Sequence, residues 1–152
     1  MVALADLWAN TQELPPRDKI VGVARFFMGT PYELGNKSAR ALDGLFGHRL
    51  EKIDCSGFVR NVYDHVFPEA GLASRIDLNA LKFQTEDLFV DVNEPSSGDI
   101  VCWDGHVGIV SNPEQGLFIG SQTSTGVMVA NYQKGYWATT KTVKKCRKWK
   151  SL

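Results

Sequence analysis

The stretch Asp54-Cys55-Ser56-Gly57-Phe58-Val59 decides the fold of this chain. Asp54 is a favoured N-cap residue, and apolar residues then recur with helical spacing, which predicts a helix over about 55–67. Cys55 opens that helix, where backbone N–H groups and the helix dipole stabilise an anion. A neighbouring imidazolium lowers the pKa of such a thiol further, and the thiolate is the attacking species. Cys55 is therefore the candidate nucleophile.

The cysteine count leaves a second interpretation open. The chain has three cysteines, Cys55, Cys102 and Cys146, which are too few for a disulfide framework. A single cysteine is also commonly a buried structural residue, and this remains the alternative for Cys55. Whether Cys102 and Cys146 pair is left open by the sequence.

The segments around this helix predict an α+β fold, because helical patterns come first and strand patterns follow. Pro15-Pro16 opens a helix over about 16–28. A short helical piece is expected near 78–83. The strands are expected over 88–92, 99–103, 106–111, 117–123, 127–132 and 141–149. We therefore expect N-terminal helices packed on a C-terminal antiparallel sheet of about five to six strands, in a single domain over 1–152 with its core at about 16–150.

Composition and charge exclude several classes of protein. The chain has 152 residues, 43% of them hydrophobic and 22% charged, which supports a packed core and argues against disorder. No apolar run approaches the roughly 20 residues that cross a bilayer, so no membrane span is expected. Residues 115–152 hold seven basic and no acidic side chains. A basic end can dock an anionic polymer, but it can equally be the solvated face of a final strand. No nucleic-acid motif is present, so no nucleic-acid partner is expected.

A histidine and a glutamine supply partners for the thiol. Asp104-Gly105 predicts a two-residue hairpin, which makes Trp103 and His106 cross-strand neighbours on one face of the sheet. A histidine on a sheet face can hydrogen-bond a cysteine at a helix end packed across from it, which makes His106 the candidate general base. Gln122 shares the face of Gly120 on a neighbouring strand and can orient the imidazole. The alternatives are an ordinary core or surface histidine and a solvent-facing glutamine.

Metal and cofactor chemistry finds no support in the sequence. Cys102 and His106 are four residues apart, but a turn separates them and no second ligand pair accompanies them, so no metal is expected. The G-x-S-x-G, Walker A and G-x-G-x-x-G patterns are absent, and no cofactor is expected.

Several motifs together resemble the NlpC-type cell-wall cysteine peptidases. The resemblance covers about residues 16–150. The motifs that carry it are Gly29-Thr30-Pro31-Tyr32, the Asp54–Val59 stretch, Gly98-Asp99-Ile100-Val101, His106-Val107-Gly108-Ile109, Phe118-Ile119-Gly120-Ser121-Gln122 and Tyr136-Trp137.

The resemblance implies a papain-like α+β fold and a hydrolase of peptide bonds in bacterial peptidoglycan stems. The bond that this family commonly cuts joins γ-D-glutamate to a diamino acid. Cys55 matches the nucleophile and His106 the general base. The substrate-binding positions that match are Asp54, which recognises the free amine of the stem, Tyr32, which lines the site, Ser56, at the rim of the cleft, and Arg75, before a helix.

Two departures from the family pattern concern the third polar residue and one connection. The family usually has His, Asn or Gln where this chain has Gly120, and Gln122, two residues on, is expected to replace it. The segment Glu33–Ile53 is longer than the usual connection. It is expected either to wall the cleft or to shift Tyr32 away from the site.

The context of the protein follows from the resemblance and the first residues. Residues 1–6 lack a basic region followed by an apolar one, so no Sec signal is expected. Small wall hydrolases of this kind resemble type VI secretion amidase effectors or phage lysins. We therefore expect synthesis in the cytoplasm, non-Sec delivery to the periplasm or cell wall, and, for an effector, an immunity protein as partner.

Three other functions fit the same residues. The first is a muramoyl–L-alanine amidase. The second is an acyltransferase that uses the same Cys and His, although the related lipid-acting group has His before Cys. The third is a non-catalytic wall-binding module that has lost its third polar residue at Gly120.

Overall fold

The described residues of this computed structural model, 4–35 and 53–152, form three α-helices and a six-stranded antiparallel sheet. The helices are α1 (Leu4–Gln12), α2 (Pro16–Phe26) and α3 (Cys55–Val66). The strands are β1 (Phe89–Val92), β2 (Ile100–Trp103), β3 (His106–Asn112), β4 (Leu117–Gln122), β5 (Gly126–Asn131) and β6 (Lys145–Trp149), in the order β1-β6-β2-β3-β4-β5. The predicted α+β architecture is confirmed. Residues 36–52, most of the long connection, lie outside the described residues.

Short helical turns account for the differences between predicted and observed elements. The predicted piece near 78–83 is a 3-10 turn at Lys82–Gln84, preceded by turns at Pro68–Ala70 and Leu72–Ser74. The last strand begins at Lys145 and not at 141, and a π-helical turn, Tyr136–Thr140, precedes it in the chain. Within residues 4–35 and 53–152, no helix is long and apolar enough to cross a membrane.

The two faces of the sheet carry two separate apolar clusters. The helices cover one face, where Val107, Ile109 and Ile119 pack with apolar residues of α2 and α3. Trp103 and Phe118 belong to the cluster on the other face. Since side chains alternate along a strand, His106 projects from β3 on the same face as Trp103 and Phe118. The helical face thus forms the main core, and the opposite face surrounds the histidine.

Ring contacts and one ion pair attach the helices to the sheet. Phe27 and Phe58 meet edge to face at 5.5 Å, and Tyr63 of α3 stacks on Trp149 of β6 at 5.4 Å. Arg17 of α2 donates to the buried carboxylate of Asp99 at 2.7 Å. The Gly-Asp motif before β2 therefore holds α2 in place.

A hydrogen bond from β4 places the beginning of α3. Ser121 Oγ donates to the backbone oxygen of Ile53 at 2.7 Å. Ile53 lies two residues before Cys55, and Ser121 lies at the end of β4. Because β3 and β4 are antiparallel, the end of β4 adjoins the beginning of β3. Cys55 and His106 therefore lie at the same end of the sheet.

Gly126 allows the Gly29–Tyr32 motif to cross the beginning of β5. Backbone bonds join Gly29 to Val127 and Val127 to Thr30, both at 2.9 Å. Gly126 has a φ of 72°, and a Cβ there would collide with the backbone oxygen of Thr30. Tyr32, the last residue of the motif, forms a parallel β-bridge with Ile53. The motif is thereby brought beside the beginning of α3.

Candidate active site

The first turn of α3 is capped by a buried carboxylate. Asp54 Oδ1 accepts the backbone N–H of Gly57 at 2.7 Å and the hydroxyl of Ser56 at 3.2 Å. Ser56 is only 2% exposed, so its expected place at the rim of a cleft is wrong. Its hydroxyl faces inward because it serves the cap. The predicted N-cap role of Asp54 is confirmed, and it fixes the backbone of the first turn, which Cys55 opens.

The other two cysteines lie in strands and are poor nucleophiles. Burial raises the pKa of Cys102 to about 12 and that of Cys146 to about 11. Cys146 pairs with Val101 across β6 and β2, whereas Cys102 pairs with Lys145, so their side chains leave opposite faces of the sheet. This geometry excludes the Cys102–Cys146 disulfide that the sequence left open. Cys55 differs from both because it opens a helix.

His106 is enclosed by aromatic rings. The imidazole stacks on Trp137 at 4.3 Å and 17°, and Trp103 and Phe118 lie beside it at 5.4 and 6.0 Å. Burial and the positive charge of Lys141 lower the pKa of His106 to about 3. The imidazole is therefore neutral at pH 7. An imidazolium beside Cys55, as the sequence suggested, is disfavoured because the aromatic rings exclude water.

Trp137 reaches His106 through the π-helical turn, a feature that sequence patterns did not reveal. Trp103 Nε1 donates to the backbone oxygen of Trp137 at 2.9 Å, which fixes the turn over the sheet. A Tyr-Trp pair between the last two predicted strands was the only signal, and no periodic pattern marked the π-helical turn.

Gln122 and His106 direct polar atoms to one place. A Cβ built on Gly120 would lie 2.8 Å from Gln122 Oε1 and 3.2 Å from His106 Nε2. Both atoms are buried, and neither has a hydrogen-bond partner within the part of the chain that the structure describes. The amide nitrogen of Gln122 donates to Met128 O at 3.3 Å, which sets the orientation of the side chain. The glycine thus leaves room in which the two side chains face each other.

Tyr32 connects the helix to a cavity beside the histidine. Burial and the charges of Cys55 and Asp54 raise the pKa of Tyr32, and a hydrogen bond with Thr123 opposes that shift. Tyr32 also lines a cavity of about 410 Å³. The described residues that line it are Tyr32, Trp103, Asp104, Gly105, His106, Thr123, Tyr136, Trp137, Thr140, Lys141, Thr142 and Lys144. The expectation that Tyr32 lines a site next to the histidine agrees with this placement.

The thiol and the imidazole belong to different faces of the sheet. Cys55 packs in the cluster on the helical face, and His106 projects from the opposite one. The alternation along β3 directs the His106 side chain to the face opposite the helices, and the packing of the imidazole against the helix end stays a prediction. Cys55 and His106 lie at the same end of the sheet. Tyr32 interacts electrostatically with Cys55 and lines a cavity together with His106. The catalytic partnership of Cys55 and His106 stays a prediction.

Comparison with known proteins identifies the family. The sequence model of the NlpC/P60 family matches residues 29–146, which is most of the chain. The chain belongs to the NlpC/P60 family. No curated protein matches it at the level of sequence.

Solved structures share the fold of this NlpC/P60 chain. The NlpC/p60 domain of the peptidoglycan hydrolase SagA matches with a TM-score of 0.54 and 24% identity, over 85% of this chain and 95% of that one. An NlpC/P60 family protein from Bacillus cereus matches with a TM-score of 0.63 and 18% identity, over 89% of this chain. This chain spans 40% of the length of the Bacillus cereus protein. The papain-like fold predicted from the motifs is confirmed.

Arg75 has a local structural role. Its guanidinium forms ion pairs with Asp77 and Glu86, both at 3.0 Å. These contacts join the turns between α3 and β1. Arg75 does not line the cavity beside His106, so the structure does not bring it together with that residue. Among residues 4–35 and 53–152, no cluster of His, Cys, Asp and Glu could hold a metal ion.

The low pKa of His106 predicts its titration. We expect its ring protons, followed by NMR and assigned with a His106→Phe variant, to keep the neutral chemical shift from pH 8 down to about pH 4. The unfolded chain takes up this proton near its ordinary pKa of about 6.5, so His106 lowers stability as the pH falls from about 6.5 towards 3. The loss amounts to about 1.4 kcal/mol per pH unit. A midpoint at or above pH 6 would contradict the burial argument.

Proposed function

We propose that the chain is a cysteine hydrolase that cleaves peptidoglycan stem peptides between γ-D-glutamate and the diamino acid. The observation that carries this proposal is a capped helix beginning with Cys55 at the sheet end where a buried, neutral His106 begins β3. Membership of the NlpC/P60 family supports the substrate class. One of the structural relatives, the SagA domain, is part of a peptidoglycan hydrolase, which supports the same class.

The attack begins from a neutral pair. Because the pKa of His106 is low, we expect the resting site to hold a thiol and an imidazole. A donor tautomer at Nε2, facing Gln122 Oε1, leaves the lone pair on Nδ1 to accept the thiol proton. The sulfur then forms a bond to the carbonyl carbon, and the backbone N–H of Cys55 stabilises the oxyanion.

The acyl-enzyme forms and breaks through the same histidine. The imidazolium gives its proton to the amine of the diamino acid as the C–N bond breaks, which leaves a thioester on Cys55. Water attacks this thioester while His106 accepts its proton. The sulfur leaves and recovers a proton, so the enzyme returns to its resting state. Asp54, whose charge raises the pKa of Tyr32, is proposed to attract the free amine of the stem peptide.

The Cys55→Ala variant tests the nucleophile. We expect no detectable digestion of stem peptides by this variant, because the acyl-enzyme cannot form. Its free energy of unfolding should remain close to that of the wild type. Product masses identify the bond: a cut after γ-D-glutamate and a cut between muramic acid and L-alanine give different fragments. Cys146→Ala is the matched control and should retain activity. Cleavage of stem peptides by Cys55→Ala would overturn the proposal. A wild type that cleaves nothing, and whose three cysteines react equally slowly with a thiol-reactive probe, would favour a non-catalytic binding module.

Gln122 is proposed as the positioning residue for His106. Removing the amide oxygen with Gln122→Leu should lower kcat about 10- to 100-fold with little change in KM, as for other groups that orient a catalytic histidine. Gln122→Asn tests whether a shorter amide restores part of kcat. The exposed Gln115→Leu is the matched control and should leave kcat unchanged. An unchanged kcat in Gln122→Leu, or a loss explained entirely by unfolding, contradicts this role.

We place the site of action outside the cytoplasm, as for a secreted effector or a lysin. Bacteria producing the protein with an added export signal should lyse, because the stem peptides lie beyond the inner membrane. The same cells should grow normally without the signal, or with the signal and Cys55→Ala. Equal toxicity with and without the signal would count against this location. An immunity protein remains a prediction of the effector hypothesis, tested by co-purification from the producing cell.

A further inference from the structure

The cavity beside His106 has an excess of positive charge. Its lining includes two lysines, Lys141 and Lys144, and one carboxylate, Asp104. Asp104 is engaged by Lys144 at 3.8 Å. Within the described residues, the ammonium group of Lys141 has no ion-pair partner. The cavity therefore has one unneutralised cation close to the imidazole.

This cation belongs to the basic C-terminal segment that the proposed function leaves unexplained. Four of the other six basic residues in 115–152, Lys144, Lys145, Arg147 and Lys148, have side-chain contacts, and Lys134 and Lys150 lie outside the cavity lining. Lys145 and Arg147 form ion pairs with Asp91 at 3.4 and 2.8 Å, and Lys148 donates to Leu152 O. Lys141 differs because it follows the π-helical turn, which brings it to the cavity and not onto the strand. The segment thus brings two lysines to the cavity, of which Lys144 is paired with Asp104 and Lys141 has no ion-pair partner among the described residues.

The position of Lys141 suits an anion next to the reacting bond. Lys141 acts on His106 through its charge, so the two lie within electrostatic range. A γ-linked glutamate keeps its α-carboxylate, which is separated from the scissile carbonyl by only three carbon atoms. A substrate carbonyl held at His106 therefore carries a carboxylate into the same cavity.

We propose that Lys141 binds the free α-carboxylate of the γ-linked glutamate and so selects substrates in which this group is ionised. The inference rests on the proposed function, and it adds the residue that recognises the glutamate on the acyl side of the scissile bond. The contact has a second effect on the reaction. The carboxylate offsets the charge that Lys141 exerts on His106, which makes the imidazolium of the acyl-transfer step easier to form.

Two substrates and two charge variants test the assignment. The first peptide carries a free α-carboxylate on its γ-linked D-glutamate, and the second carries an α-carboxamide there and is otherwise identical. We expect the wild type to prefer the acid about tenfold or more in kcat/KM, as for a charge-assisted contact. Lys141→Met should lose this preference through slower cleavage of the acid, and Lys141→Arg should retain most of it. Lys134→Met removes an exposed charge that lies outside the cavity lining and should behave as the wild type.

The outcomes separate this inference from the proposed function. Equal cleavage of both peptides by the wild type overturns the assignment of Lys141 but leaves the hydrolase. An equal loss on both peptides in Lys141→Met also overturns it, because a structural role lowers both rates together. Cleavage of neither peptide by the wild type overturns the proposed bond and, with it, the role of Lys141.

Discussion

The exclusion of water from His106 is the constraint on which the site depends. Trp103, Phe118 and Trp137 surround the imidazole, and their contact removes the solvent that an imidazolium needs. The residue is consequently neutral, and its chemistry depends on the few polar groups that remain near it. Among the described residues, these groups include Gln122, whose Oε1 faces the Nε2 side of the ring, and the charge of Lys141.

Three contacts hold the residues around Cys55 and Tyr32 at the sheet end where β3 begins. Asp54 caps α3 and so fixes the backbone around Cys55, and Ser121 ties the residue before the cap to the end of β4. Gly126 lets the Tyr32 motif cross β5. Each of the three is a buried polar contact or a close backbone approach, and each is costly to break because the freed groups would remain buried. These contacts therefore fix the backbone on both sides of Cys55.

The His106 side chain leaves the sheet on the face opposite the helices, and Cys55 opens a helix on the other face. If Cys55 and His106 faced each other between the helix and the sheet, the substrate would have to bind between those two layers. Here the two residues share a sheet end, and the cavity opens on the face that Trp137 and the basic segment cover. The C-terminal segment, which looks like a solvated strand in the sequence, thus becomes a wall of the site. We expect this segment, through Lys141, to determine which group is accepted on the acyl side of the scissile bond.

Local patterns of the sequence determined the elements and the chemistry that they carry. The apolar spacing after Asp54 predicted α3 and its cap, and Asp104-Gly105 predicted the hairpin that begins β3 at His106, because both patterns depend on near neighbours in the chain. Only the tertiary structure decided that Ser56 turns inward, that Arg75 pairs with Asp77 and Glu86, and that Trp137 and Lys141 meet the imidazole. The contacts at the imidazole join residues far apart in sequence, and those of Ser56 and Arg75 depend on side-chain orientations that no periodic pattern encodes. Burial, which sets the charge of His106, exists only once the chain has packed.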